Sequence, residues 1–348
     1  MKVITFFNNK GGVGKTTTVV NLASYLSIKY NKKILLLDLD PQSNSTQLII
    51  PSERWSDFYG ENPPNKTIYD YFEEMDQGEA ELNFYPIPVL AKDNNYNIDM
   101  IPGHPRLAII DDRMSKSWSG TLGQDKGDLR RLNWLSQFKK WVKEFQYDYI
   151  FIDVGPSLGA LNRSILLNSD YFVTPMGSDI FSLLGVENIS SWMSQWIELY
   201  KDALVNIQKN DRYFDLEKFS ERYSVNIDVD SSCKYIGYSI QQYSKRKFKD
   251  SVRPVLAYEN IIREMHEKIL SHLGKFMPSG IKEEDIKLGD IPYVYSIVPL
   301  SQTANVPIFN LTYKSGLRGN QISSVDEYTN FIDKICSNLL KNIGDIND

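Results

Sequence analysis

Residues Met1–Thr18, MKVITFFNNKGGVGKTTT, run a short apolar stretch straight into a glycine-rich loop. Few local patterns restrict a fold so tightly. The run Val3–Phe7 has the length and content of a buried strand, the glycines break it, and helical periodicity follows. Gly11, Gly12 and Gly14 free successive backbone N–H groups to point at phosphate oxygens, Lys15 adds positive charge, and Thr16 offers a hydroxyl to magnesium. The loop is expected to bind a nucleotide through Lys10, Gly11, Gly12, Val13, Gly14, Lys15, Thr16 and Thr17.

The spacing departs from the usual GxxxxGK[ST] loop, because Asn9 stands where the first glycine belongs and Lys10 follows it. A second lysine is redundant beside a site that Lys15 and a metal already neutralise. It makes chemical sense as a charge supplied in trans, to the phosphates of a neighbouring subunit.

Downstream, short apolar runs alternate with longer helical stretches, which is the signature of parallel strands joined by crossover helices. Strands are expected at Val3–Phe7, Ile34–Asp38, Ile98–Ile101, Tyr149–Asp153, Tyr171–Thr174, Tyr235–Ile240 and Tyr293–Val298. The fold class is therefore α/β, a doubly wound, mostly parallel sheet with helices on both faces. Ligands of such folds sit beyond the carboxyl ends of the strands, where Lys15, Asp38, Asp40 and Asp153 fall. Residues 51–97, rich in Pro, Asn and charge, and residues 201–232 interrupt the alternation. They are expected as two surface insertions on one P-loop domain spanning 1–348, with helical promise at Thr67–Met75.

The chain is long enough, at 348 residues with 42% apolar content, to bury a full core. No run approaches the ~18 consecutive apolar residues of a membrane span, and Asn8 and Lys10 interrupt the first run too early for a signal peptide, so a cytoplasmic location is expected. Two cysteines without CxxC spacing and three histidines suggest neither a disulfide framework nor a Cys/His metal site, and exclude an iron–sulfur reductase. A net charge of −5 argues against a protein that wraps nucleic acid, though not against a local basic face.

Two acidic segments complete the phosphate loop. In Asp38-Leu39-Asp40-Pro41-Gln42-Ser43-Asn44, Pro41 ends the strand and turns the chain across the nucleotide. Asp38 is then placed to hold the magnesium hydration shell, and Asp40 to orient or deprotonate the attacking water. Tyr149–Asp153 is an apolar strand ending in an acid, the Walker B arrangement, so Asp153 joins Thr16 and Asp38 as a metal residue. Gly155, Pro156 and Ser157 form a turn placed to sense the γ-phosphate.

At these motifs the chain resembles the ParA/MinD family of deviant Walker ATPases, and within it the ParA partition branch. KGGVGKTT is similar to the family's P-loop, DLDPQSN to its first switch, and YDYIFIDVGPSLGALNRSIL to its Walker B strand and second switch. IDMIPGHPRL resembles its third strand and turn, and VPLSQTANVPIFN, with Pro299, its late loop near the adenine. The resemblance implies an Mg2+-dependent ATPase of low turnover. ATP drives a sandwich homodimer in which Lys10 reaches the partner's phosphates, Lys15 and Thr16 hold phosphate and magnesium, and Asp40 activates water. Val154 and Gly155 depart from the Thr and Pro common after the family's Walker B acid, so a hydroxyl is lost there. ATP is favoured over GTP, since Asn65-Lys66-Thr67 lacks the Asp of a guanine reader.

Family ParA dimers bind DNA nonspecifically and take a ParB-like adaptor that stimulates hydrolysis. The residues that fit DNA are Lys245, Arg246, Lys247, Lys249 and Arg253, with Arg318 in support; the cluster fits a solvated loop before a helix equally well. A membrane anchor is not expected, because Asp326, Glu327 and Asp333 outweigh Lys334 on the last helix, which suits packing on the sheet. Two alternatives remain open. One is a ParA-like regulatory or defence ATPase gating a protein partner; the other is an ATP-dependent ligase of dethiobiotin synthetase type, which needs no Lys10.

Overall fold

A computed structural model describes residues 1–241, 245–247, 252–254, 256–291 and 296–345, with 245–247, 252–254 and 256–260 described by backbone alone. Seven strands form one sheet: β1 (Lys2–Phe6), β2 (Ile34–Leu39), β3 (Asp99–Ile101), β4 (Tyr149–Val154), β5 (Tyr171–Gly177), β6 (Lys234–Gln241) and β9 (Lys287–Ile291). Their order is β3-β2-β4-β1-β5-β6-β9, and every pairing is parallel. Two further strands, β7 (Lys245–Lys247) and β8 (Val252–Pro254), form an antiparallel hairpin outside that sheet.

A parallel sheet needs cover on both faces, so its central strands are mostly apolar and buried throughout. All six residues of β2 and all six of β4 are buried. Alternate residues feed opposite layers. Leu35, Leu37, Ile150 and Ile152 pack with the helices Leu107–Leu122, Trp134–Val142, Ala160–Asn168 and Ile180–Asn210. Leu36, Tyr149 and Phe151 pack on the other face with Lys15–Tyr30 and the last helix, Gln321–Asn342. That last helix buries Val325, Tyr328, Ile332, Ile335, Leu339 and Leu340 against the sheet, as its sequence suggested. Among the described residues no helix is long and apolar enough to cross a membrane. The two free thiols lie on opposite faces, Cys233 in the first layer and Cys336 in the second, and burial pushes both well above the ordinary thiol pKa.

Two sequence expectations change. Of the expected strand Tyr293–Val298, residues 293–295 lie outside the described residues and Ile297 and Val298 open a helix, Ile297–Ala304, so the last described sheet strand is Lys287–Ile291. Residues 201–210 are no insertion, since they extend the helix Ile180–Asn210, whose Ala203, Leu204 and Ile207 are buried. The short helix Leu216–Tyr223 follows, and Leu216, Val225 and Val229 pack into the core. The helical promise of Thr67–Met75 appears as two single turns, Ile68–Tyr71 and Glu73–Asp76, the first started by a capping box between Thr67 and Asp70.

Candidate functional site

In a parallel sheet all carboxyl ends share one edge, and here that edge gathers the loops after β1, β2 and β4. Asn8 fixes the first loop: its side chain donates to the Pro175 carbonyl at 2.8 Å and accepts the Lys10 amide at 3.0 Å. Gly12 and Gly14 take left-handed φ values of 73° and 77°, which bends the loop around a concavity. Gly14 is also the N-cap of Lys15–Tyr30 and supplies no side chain to cap it, so the first N–H groups of that helix are left to an external acceptor.

The resulting cleft has a volume of about 790 Å³. Lys10 through Thr17 line one wall, Asp40, Gln42 and Asn44 another, and Trp55 and Pro156 close the rim. The late segment contributes Gln302, Thr303 and Asn305. Pro299 is exposed in the first turn of its helix and is not among the cleft residues, because that segment is helical where a loop was expected. Asn305 instead ties the late segment to the first switch, donating to the carbonyls of Gln47 at 3.1 Å and Leu48 at 2.8 Å.

Beneath the cleft, Asp38 and Asp153 are paired across the β2–β4 ladder and are fully buried. The helix Asn44–Ile49 supplies the donors they need. Ser45 Oγ donates to Asp153 at 2.6 Å, and the amide and hydroxyl of Thr46 donate to Asp38 at 2.8 and 2.7 Å. Sequence reasoning missed both hydroxyl residues, although they follow Asn44 directly. Burial, then the Asp153 charge, push the Asp38 carboxyl up to about 7, against the lowering effect of the Thr46 bonds. Lys15, only 7% exposed, bonds its ammonium to the other oxygen of Asp153.

Asp40 sits higher, at the cleft wall, and accepts the Gln42 amide at 3.0 Å. Gly155 packs against it: a Cβ there would stand 3.2 Å from the Asp40 carboxylate and 3.7 Å from Pro41. The departure noted after the Walker B acid is thus the contact that lets the two switch turns touch. Gly103 makes a tighter approach, where a Cβ would meet Ser43 Oγ at 2.8 Å and Asp38 at 2.9 Å. Ser43 itself is left-handed at φ 51°, with its buried hydroxyl unpartnered.

Lys10 points away from this interior. Its ammonium lies 2.6 Å from Asp179 and 5.9 Å from the Phe181 ring centroid, and its side chain is 34% exposed. Asp179 caps the helix Ile180–Asn210 by accepting the Phe181 and Ser182 amides. Burial raises its carboxyl, but Lys10 and Ser182 outweigh this and hold it below its ordinary value. The sequence reading singled out Lys10 but not this carboxylate.

A nucleotide and magnesium fit this donor set. Glycine amides, Lys15 and Thr16 suit phosphate oxygens, and a few oxygen ligands beside phosphate suit magnesium better than a protein cage. Among the described residues no cluster of three or more His, Cys, Asp or Glu could hold a metal unaided. Of the DNA candidates, Lys245, Arg246 and Lys247 lie on β7, Arg246 pairs in register with Arg253 on β8, and Lys249 lies outside the described residues. The exposed Arg318 donates its guanidinium to the carbonyls of Tyr313 and Leu317 at 2.9 and 2.7 Å.

The comparisons agree with this architecture. The solved structure of protein DIP2308 from Corynebacterium diphtheriae matches with a TM-score of 0.75 and 28% identity, over 99% of each chain. The chromosome partitioning protein ParA of Myxococcus xanthus is 30% identical over 205 residues, which is 58% of this chain and 60% of that protein. The match therefore spans less than two thirds of that relative's length. The structure of pNOB8 ParA bound to nonspecific DNA shares the fold at 17% identity, with a TM-score of 0.54 over 99% of each chain. The AAA_31 family, an AAA domain, matches residues 1–206. The chain belongs to this family, as a ParA-type member with the P-loop ATPase fold.

Proposed function

We propose that the protein is an Mg2+-dependent ATPase switch of the ParA type, whose ATP-bound form is a sandwich homodimer that associates with DNA. The observation that carries this reading is one loop with two lysines aimed differently, Lys15 into its own site and Lys10 out of it. Bound Mg2+-ATP would supply a γ-phosphate that water can attack. Toward it, the loop amides and Lys15 bind and orient phosphate oxygens, Thr16, Asp38 and Asp153 are the magnesium residues, and Asp40 takes a proton from water. Lys10, carried across the dimer, stabilises charge in the partner's site.

The hairpin β7–β8, with Lys245, Arg246, Lys247 and Arg253 and the neighbouring Lys249, is the proposed contact to DNA phosphates. A dimer presents two such hairpins. Slow hydrolysis, stimulated by a ParB-like adaptor, would reset the cycle and so segregate a plasmid, a chromosome or another cargo from the cytoplasm, with nucleoid association in the ATP state. The DNA-bound state of pNOB8 ParA, a protein of the same fold, is in keeping with that use.

A second reading, a ParA-like regulatory ATPase gating a protein partner, is favoured by Ser52 and Trp55, which bring the start of segment 51–97 onto the cleft. The ligase reading gives Lys10 no task and is set aside. The deciding experiment is light scattering on the full chain with a non-hydrolysable ATP analogue and Mg2+, followed by retention on salt-titrated DNA. The proposed function expects a dimer that holds DNA. A dimer that ignores DNA selects the regulatory reading, and a monomer that binds the analogue refutes the sandwich.

A further inference from the structure

The helix Ile180–Asn210 begins with an anomaly. Leu183, Val186 and Ile189 face the core and are buried, yet Ile180, Phe181 and Leu184 on the opposite side of its first turns are 49%, 69% and 49% exposed. Three large apolar side chains on one side of the first turns leave a patch that water disfavours and a partner would cover. The patch is continuous with the nucleotide cleft, because Lys10 lines that cleft and also lies beside Phe181 and Asp179.

We propose that this first turn is the seat of a second copy of the chain, and that Asp179 holds Lys10 in its own protomer until that copy arrives. The inference rests on the sandwich reading and names its contact surface and its brake. A two-fold axis beside the cleft sets a patch against its own copy, so three apolar side chains become six without any further partner. It also brings each Lys10 toward the opposite cleft. To reach phosphate there, Lys10 must leave the Asp179 carboxylate 2.6 Å away. The exchange is near balance, because the present pair is about one-third exposed on each side, where ion pairs are weak. The brake is one that bound phosphate in a facing site can release.

Two substitutions separate seat from brake. Asp179→Asn keeps an oxygen to cap the helix while removing the charge, and Phe181→Asp alters a side chain that is mostly in solvent, so both should fold. Dimerisation of the full chain is followed by light scattering against protein concentration, with the non-hydrolysable analogue and Mg2+. Asp179→Asn should dimerise at about tenfold lower concentration than the unaltered chain, since two pairs are broken per dimer. Phe181→Asp should stay monomeric while still binding the analogue, with the affinity that the unaltered chain shows at concentrations too low for it to dimerise. An unshifted midpoint for Asp179→Asn overturns the brake, and a dimer from Phe181→Asp overturns the seat, in each case with the sandwich reading intact if the unaltered chain dimerises. If neither the unaltered chain nor Asp179→Asn dimerises, both the inference and that reading fall.

Discussion

The two ends of the phosphate loop make opposite use of the same residue type. At the inner end Lys15 is buried and bonded to Asp153. At the outer end, five residues earlier, Lys10 stands a third exposed against Asp179 at the head of another helix. A charge in the interior is fixed by the cost of leaving its partner, whereas a charge at the rim can change partners cheaply. One loop therefore carries a committed lysine and a mobile one, and the difference lies in burial, not in residue type.

The largest effect is expected at the inner end of the loop. Lys15→Ala strips the counter-ion from the buried Asp153 carboxylate, so it should lower unfolding stability by about 3–5 kcal/mol as well as abolish nucleotide binding. Urea denaturation without nucleotide tests the first part, and a loss no greater than that of Lys10→Ala would erase the distinction. Asp40→Ala should cut phosphate release by about a hundredfold or more while the analogue still binds; normal single-turnover rates would move water activation elsewhere. On the β7–β8 hairpin, replacing Lys245, Arg246 and Lys247 by Ala should lower the salt dependence of DNA retention by about one unit of slope per lost phosphate contact. An unchanged slope puts the DNA contact on another face. Lys10→Ala should cost at most about 1 kcal/mol of stability, because its ion pair is at the surface. Of comparable size but opposite sign, Ser43→Gly should raise stability by about 1 kcal/mol by releasing a left-handed residue, which thermal melting can resolve.

Much of this layout was legible because its signals are local. The strands at Val3, Ile34, Ile98, Tyr149, Tyr171 and Tyr235 reappear with ends shifted by a few residues at most, since continuous apolar runs bounded by turns describe buried parallel strands. The edge strand Lys287–Ile291, KLGDI, is short and broken by glycine and charge, so the β-rich YVYSIV that follows drew the assignment instead. The phosphate loop and its acids are likewise contiguous motifs. Ser45 and Thr46 carry no apolar pattern of their own and became significant only when Asn44–Ile49 laid their hydroxyls over the two acids. Asp179 could have been suspected as a helix cap before an apolar run. Its meeting with Lys10 depends on β1 and β5 being neighbours, which is tertiary information.

The placement of the two cysteines gives the molecule a built-in pair of reporters. With both thiols sequestered and shifted away from the reactive thiolate, alkylating reagents are shut out of the closed protein. Each becomes accessible when its own helical layer lifts from the sheet, Cys233 with one and Cys336 with the other. Mass spectrometry of pulse-labelled peptides can therefore time the opening of the two layers separately during unfolding. An engineered surface cysteine can carry a dye without competition from either.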